Sequence, residues 1–325
     1  SCKILRSNLQ LYSIRVEMVN SKNIYKNFNI NTRHKDSIIL IGNFDGVHKG
    51  HQKLFSLAKR YKKKYSSKIG VLTFEPMPKM FFNKNLDNFR ISSLQQKIDN
   101  LKNLNVDFII IKKFDRKFSK IKSVIFIKEI LGKKLKPKFI FVSNNFRFGN
   151  KREGNVRQLI KFESMCGYKV IKPQPLLTNK KIASSSLVRK LLQKGKLEKA
   201  NKILNRNWSI IGKVQKGRQL GKKIGFPTAN IDIKDYILAC PGVYAVKAKR
   251  YGKNNFIKGI ANLGYRPTFN GKKILLEVHL FNFSGNLYNK YLTVEFKKFI
   301  RKEKKFKNVE QLRKQIKTDL LIAKK

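Results

Sequence analysis

Two of the chain's four histidines, His48 and His51, stand three residues apart in Gly42-Asn43-Phe44-Asp45-Gly46-Val47-His48-Lys49-Gly50-His51. The apolar run before them reads as a buried strand and the segment after them as a helix, so they fall on a strand-to-helix turn. The first N–H groups of a helix have no internal partner and carry partial positive charge, which suits a polyphosphate. Two imidazoles there can donate to a phosphate whose charge grows in a transition state, and the flanking glycines let a ligand approach the backbone. The plain alternative is a pair of incidental polar residues at a helix start. Ser184-Ser185-Ser186-Leu187-Val188-Arg189 poses a similar choice. Hydroxyls at a helix N-terminus with an arginine one turn in can grip phosphates, or the serines can simply cap the helix.

Further along, Gly221-Lys222-Lys223-Ile224-Gly225-Phe226-Pro227-Thr228-Ala229-Asn230 combines loop glycines with two hard oxygen donors, Thr228 and Asn230, suited to Mg²⁺. Glu277 lies among Leu275, Val278 and Leu280 in a chain with only 19 acidic residues. Ionised, it could accept the proton of an attacking hydroxyl. The alternative is an outward-facing strand carboxylate paired with a lysine.

The elements that must position these groups follow from periodicity. Strands are expected at 38–41, 69–74, 108–111, 139–142 and 169–171, with helices near 51–65, 93–104, 120–131 and 155–166 between them. That alternation argues a parallel sheet with helices on both faces, ligands collecting at the carboxyl ends of its strands. A Lys-rich helical stretch spans 187–204. Beyond it, β-type runs at 209–214, 243–248, 257–262, 275–280 and 292–296 alternate with Gly, Pro and Asn turns, the signature of a small antiparallel barrel. A final stripe of Leu312, Ile316 and Leu320 predicts a terminal helix. The expected class is α/β plus all-β, with a first domain at 18–205 and a second at 206–325. Residues 1–17, ahead of Met18, are left as an extension without assigned function.

Composition narrows the classes further. The 325 residues suffice for two cores, and no apolar run approaches bilayer length. Residues 1–20 lack a continuous apolar stretch, so no secretory signal is expected. Three scattered cysteines, Cys2, Cys166 and Cys240, suit free thiols in a reducing cytoplasm. The net charge of +55 comes mostly from lysine spread along every segment, with abundant Asn, Ile and Phe. That fits compositional drift of an AT-rich coding sequence better than a selected nucleic-acid surface, although weak, salt-sensitive RNA binding is expected.

The histidine string resembles the His-x-Gly-His signature of the nucleotidylyltransferases, and in its longer form the bacterial bifunctional riboflavin kinase/FAD synthetase family. Thr73-Phe74-Glu75-Pro76-Met77-Pro78, Asn145-Phe146-Arg147-Phe148-Gly149, the Ser184–Arg189 segment, Phe226-Pro227-Thr228-Ala229-Asn230, Asn262-Leu263-Gly264-Tyr265-Arg266-Pro267-Thr268-Phe269 and Glu277-Val278-His279-Leu280 follow in the family's order across roughly residues 20–325. The resemblance implies a Rossmann-like nucleotidylyltransferase domain that adenylylates FMN to FAD and a barrel that phosphorylates riboflavin to FMN, each using ATP and Mg²⁺. ATP would be held by Gly42, Phe44, Gly46, Gly50, Ser184, Ser185, Arg189, Gly221 and Gly225, with His48 and His51 at its α-phosphate. Asn145, Phe146 and Arg147 would shape the flavin pocket, Thr228 and Asn230 would hold the metal, and Glu277 would be the base, leaving His279 a structural role.

The family's pattern has His at Met77, Asp at Asn286 and Gly at Asn289 and Asn205. Met77 raises an alternative in which only the kinase activity is retained. A basic RNA-associated protein on the same scaffold is the other rival, and it predicts no ATP-dependent conversion of riboflavin.

Overall fold

The computed structural model describes residues 23–83, 86, 88–178, 180–217, 221, 225–233, 235–268 and 271–324. Residues 1–17, Lys222, Lys223, Ile224 and Phe269 of the segments above lie outside that set. Two compact units result, one from residues up to 85 and 94–182, the other from 86–93 and 183 onward.

The first unit is built on β1 (Ile24–Tyr25), β2 (Ile38–Ile41), β3 (Ile69–Glu75), β4 (Phe108–Lys113), β5 (Phe139–Phe141) and β6 (Lys169–Ile171). They form one parallel sheet in the order β1-β4-β3-β2-β5-β6. Because both faces are covered, the strands read as continuous apolar runs instead of alternating ones. Ile39, Ile41, Leu72, Ile110 and Ile140 face a core with Ile127, Leu131 and Leu159. Ile38, Leu40, Val71, Ile109 and Phe141 face another with Leu54, Phe55 and Ala58 of α1 (Lys49–Tyr65) and Ile98 and Leu101 of α2 (Leu94–Lys102). Burying each such side chain contributes roughly 1.5–3 kcal/mol, so these two layers fix the sheet.

The chain steps one way from β2 through β3 to β4 and the other way from β5 to β6. The order therefore reverses between β2 and β5, and the crevice beyond their carboxyl ends is where such sheets take ligands. Two expected helices are modified. The one at 120–131 becomes a short turn, Ser123–Ile125, running into a π-helical Phe126–Leu135, and the one at 155–166 breaks at Phe162 into Val156–Lys161 and Glu163–Cys166.

The second unit is a closed barrel of β7 (Ser209–Gln215), β8 (Ala229–Asp232), β9 (Gly242–Arg250), β10 (Ile257–Thr268), β11 (Gly271–Leu280) and β12 (Tyr291–Lys302). All neighbours are antiparallel, in the closed order β7-β8-β11-β10-β9-β12. Five strands match the expected runs. β8 is additional, its four alternating residues too few to stand out as a strand.

The helical stretch at 187–204 is two helices, α3 (Ser185–Gln193) and α4 (Leu197–Leu204), separated at Gly195, whose φ of +69° is left-handed backbone that glycine adopts most readily. Both pack with the barrel: the Cys240 N–H donates to Leu192 O at 2.9 Å and Asn201 Nδ2 to Phe296 O at 3.1 Å. Texture located a change near residue 205. The packed unit starts at Ala183, because periodicity tells a helix from a strand but not which neighbour the helix buries against.

The segment 86–93 is stitched into the same unit, with Trp208 Nε1 donating to Ile91 O at 3.0 Å and Asn88 Nδ2 to Tyr236 O at 2.9 Å. The terminal helix α5 (Val309–Lys324) forms as expected, yet Leu312, Ile316 and Leu320 are only half-buried. Its anchor is Asp319, buried and gripped by Arg301 of β12 at 3.0 Å through Nε and 2.7 Å through Nη2. Among the described residues no helix is long and apolar enough to cross a membrane, and Cys166 and Cys240 are free thiols.

Candidate active sites

In the first unit the turn from β2 to α1 is tightly bound from below. The Gly42 N–H donates to Leu72 O at 3.1 Å, and Val47 N–H to Phe44 O at 3.3 Å. Phe44, Gly46 and Val47 have φ of +48°, +77° and +39°. For Phe44 and Val47 that backbone is strained by about 1–3 kcal/mol each, a pattern concentrated at functional sites. The buried Phe44 ring packs on His51 at 5.1 Å and on Phe55 at 5.5 Å, and a Cβ at Gly42 would meet it at 3.2 Å. His48 occupies the N-cap position of α1 without making a side-chain cap bond. Its imidazole instead stacks on His51, centroids 3.7 Å apart and planes 24° apart. Gly50 lies in the first turn. The paired imidazoles therefore sit at the N-terminus of a 17-residue helix, beside the reversal of strand order.

Across that reversal, Asn145, Phe146 and Arg147 follow β5. Asn145 and Arg147 are exposed, and Phe146 stacks on Phe148 with centroids 5.5 Å apart. At the ends of β3 and β4, Phe81 and Phe82 meet Phe114 at 5.3 and 5.8 Å, leaving Phe82 66% exposed. These rings carried no signal in a chain with 24 phenylalanines. Met77 is buried at the start of the short helix Pro78–Phe82, an apolar filler.

Ser184, Ser185 and Arg189 belong to the second unit. The Ser184 hydroxyl accepts from Leu187 N–H at 3.2 Å, so the capping alternative is realised, and Ser185 opens α3. Arg189 lays its guanidinium over Phe89, 3.7 Å from the centroid, while Nε donates to Phe89 O at 2.9 Å. Phe89 was not singled out in the sequence, being 100 residues away.

In the barrel, register makes the site. Glu277 of β11 stands opposite Asn230 of β8 on one side and Asn262 of β10 on the other. Directly opposed residues share a face, so a carboxamide, a carboxylate and a second carboxamide form a row. Leu276 and Val278 point the other way into the core. A cavity of about 200 Å³ is lined by Asn262, Tyr265, Glu277 and Glu303. Burial, and then the Glu277 carboxylate, push Glu303 above the usual carboxylate range. Asn230 is buried, and among the described residues its Oδ1 has no hydrogen-bond partner.

Gly217 backs onto the Asn230 carboxamide, where a Cβ would come within 2.1 Å. The Phe226 N–H closes onto Gly221 O at 2.7 Å, and Gly225 is exposed with φ of +90°. His279 Nδ1 donates to Pro227 O at 2.9 Å, so this histidine holds the Thr228 loop, matching the structural role expected of it. Thr228 borders another cavity of about 280 Å³ with Val214, Leu280, Phe283 and Leu287.

Comparison with known proteins fits this division. A model described as FAD synthetase matches residues 30–187 and one described as riboflavin kinase matches 204–325. The bifunctional riboflavin kinase/FMN adenylyltransferase of Buchnera aphidicola from Schizaphis graminum is 42% identical over 91% of this chain and 96% of its own. That from the Acyrthosiphon pisum strain is 40% identical over 91% and 95%. The chain belongs to the bifunctional riboflavin kinase/FMN adenylyltransferase family. A crystal structure described as a macrolide-efflux protein from Streptococcus pneumoniae superposes with a TM-score of 0.81 at 28% identity, covering 93% of this chain and 98% of that one.

The backbone accommodates the departures from the resembled pattern. Where the resemblance implies glycine, Asn205 and Asn289 adopt φ of +60° and +61°, left-handed backbone that asparagine tolerates better than most. Asn286 accepts the Tyr288 N–H at 2.9 Å through its side-chain oxygen, an Asx turn that an aspartate would make equally.

Proposed function

We propose that the two units act in series on a flavin: the barrel phosphorylates riboflavin, and the sheet domain adenylylates the FMN that results. The observation that carries this reading is the strand register that sets Glu277 directly opposite Asn230. An ionised Glu277 accepts the proton of the riboflavin 5′-hydroxyl as that oxygen attacks the γ-phosphorus of ATP, the bond from that phosphorus to the β,γ-bridging oxygen breaks, and ADP leaves. Thr228 Oγ1 and the Oδ1 of Asn230, partnerless among the described residues, are the donors that fit Mg²⁺, with Gly221 and Gly225 letting the loop approach the phosphates. An ion held there would draw charge off the phosphate oxygens.

In the sheet domain an FMN phosphate oxygen attacks the α-phosphorus of a second ATP, and pyrophosphate leaves. His48 and His51 donate to the α-phosphate oxygens as their charge rises, while Gly42, Phe44, Gly46 and Gly50 shape the turn beneath them. Asn145, Phe146 and Arg147 hold the flavin, and the exposed ring of Phe82 offers a flat apolar face to the isoalloxazine. Met77 is packed away from solvent as an apolar filler, and the proposed reading keeps adenylyl transfer with methionine at that place. A cytoplasmic setting suits the free thiols, and the charge of +55 adds a weak, salt-screened attraction for nucleic acid.

The test separates the two activities by product. Glu277→Gln is expected to lower FMN formation by about 100-fold or more while added FMN is still converted to FAD. His51→Ala is expected to do the reverse. A Glu277→Gln chain that phosphorylates riboflavin at the parent rate would remove the base from this scheme.

A further inference from the structure

We infer that Lys97 is a positioning residue for adenylyl transfer, acting through the Thr73 hydroxyl on the Asn43 carbonyl of the histidine turn. Among the described residues Lys97 is the only buried lysine, with 0% of its surface exposed. Lysine is almost never fully buried unless its ammonium is paired, because removing it from water is costly. Its position on α2 brings Nζ to 3.4 Å from Thr73 Oγ1, and that oxygen lies 3.3 Å from Asn43 O.

The donor count gives the chain a direction. An ammonium only donates and a carbonyl only accepts, so the one hydroxyl hydrogen of Thr73 goes to Asn43 while its lone pair takes the Lys97 proton. Thr73 is itself at 0% exposure near the end of β3, a rigid strand whose Leu72 carbonyl also holds Gly42 at 3.1 Å.

Asn43 directly precedes Phe44, the first left-handed residue of the turn, and Val47 follows three residues later. Such strained backbone persists only where its surroundings over-determine it, and a buried charged donor beneath the turn is one such constraint. The inference depends on reading the His48–His51 turn as the site of adenylyl transfer.

The test uses the full chain with added FMN, ATP and Mg²⁺, reading kcat and KM for ATP, and riboflavin phosphorylation by the same preparations. Lys97→Met and Thr73→Val are each expected to lower kcat for FAD formation by about 10- to 100-fold with KM for ATP changed less than about threefold. Thr73→Ser, which keeps the hydroxyl, is expected to retain the rate. The Thr73→Val/Lys97→Met double variant should lose no more than Lys97→Met alone, since both cut one path.

FMN formation should stay level throughout. Thr73→Val activity within about twofold of the parent, or losses that multiply in the double variant, would overturn the inference, as would FMN formation falling in step. If Lys97→Met fails to fold, the Thr73→Val and Thr73→Ser pair still decides. His51→Ala separates the two readings. Intact FAD formation in that variant sinks the turn itself, whereas its loss beside an unaffected Lys97→Met sinks only the lysine.

Discussion

A buried carboxamide oxygen left without a partner costs about 1–3 kcal/mol, and among the described residues Asn230 Oδ1 carries that cost. A hard cation beside it would offset the penalty, which makes the residue's effect on metal binding separable from its effect on folding. Asn230→Ala is expected to raise the Mg²⁺ concentration for half-maximal FMN formation by at least about tenfold. FAD formation from added FMN should keep its own Mg²⁺ dependence; titrating both reactions with Mg²⁺ checks this, and an unchanged kinase titration would reassign Asn230. At this scale the sequence was informative because the groups are chemically unusual for their context. An acid in a chain with 74 basic residues, and two histidines three apart beside glycines, stand out. Lys97, Phe89 and Glu303 did not, since lysine, phenylalanine and a charged strand end are common here and only folding brings them to Thr73, Arg189 and Glu277.

Elements depend on a few buried polar anchors as well as on apolar layers. The terminal helix is one case. Asp319 at 2% side-chain exposure and Arg301 at 15% form its tie to β12, and removing one member strands the other. Asp319→Ala is expected to destabilise the barrel unit by about 3 kcal/mol, read as a fall in the thermal midpoint for loss of FMN formation.

β1 offers a second case. Its Tyr25 hydroxyl lies 2.8 Å from Nδ1 of the buried His34, whose ring stacks on Phe108 at 4.3 Å. Burial first, then Lys68 and Arg33, hold His34 below its ordinary value of 6.5. The folded state therefore favours neutral imidazole, and its contribution is present in full above pH 6.5. As pH falls below that value the unfolded chain takes the proton first, so stability of the sheet domain declines until the lowered folded value is passed. Denaturant midpoints measured from pH 7.5 downward should show this decline, and His34→Gln should flatten it. Long apolar runs and the barrel strands were legible because burial imposes their periods. β8, the break at Gly195 and the Arg301 anchor were not, because a four-residue strand, a single left-handed residue and an ion pair leave no period behind.

For the whole molecule, two units of different architecture divide two phosphoryl chemistries. The sheet places paired imidazoles at a helix N-terminus, and the barrel places a carboxylate in register with two carboxamides. On the proposed reading the first serves displacement at an α-phosphorus and the second attack on a γ-phosphorus. A parallel sheet followed by a barrel could be read from texture alone. That residues 86–93 and 183–205 pack with the barrel could not, since side-chain type does not name a distant partner.

The central claim is that one polypeptide performs both steps in order. The direct measurement is a chromatographic time course of the intact chain with riboflavin, ATP and Mg²⁺. FMN is expected to rise first and FAD to follow at its expense. FMN that accumulates without any FAD, or riboflavin left unconverted, would contradict it.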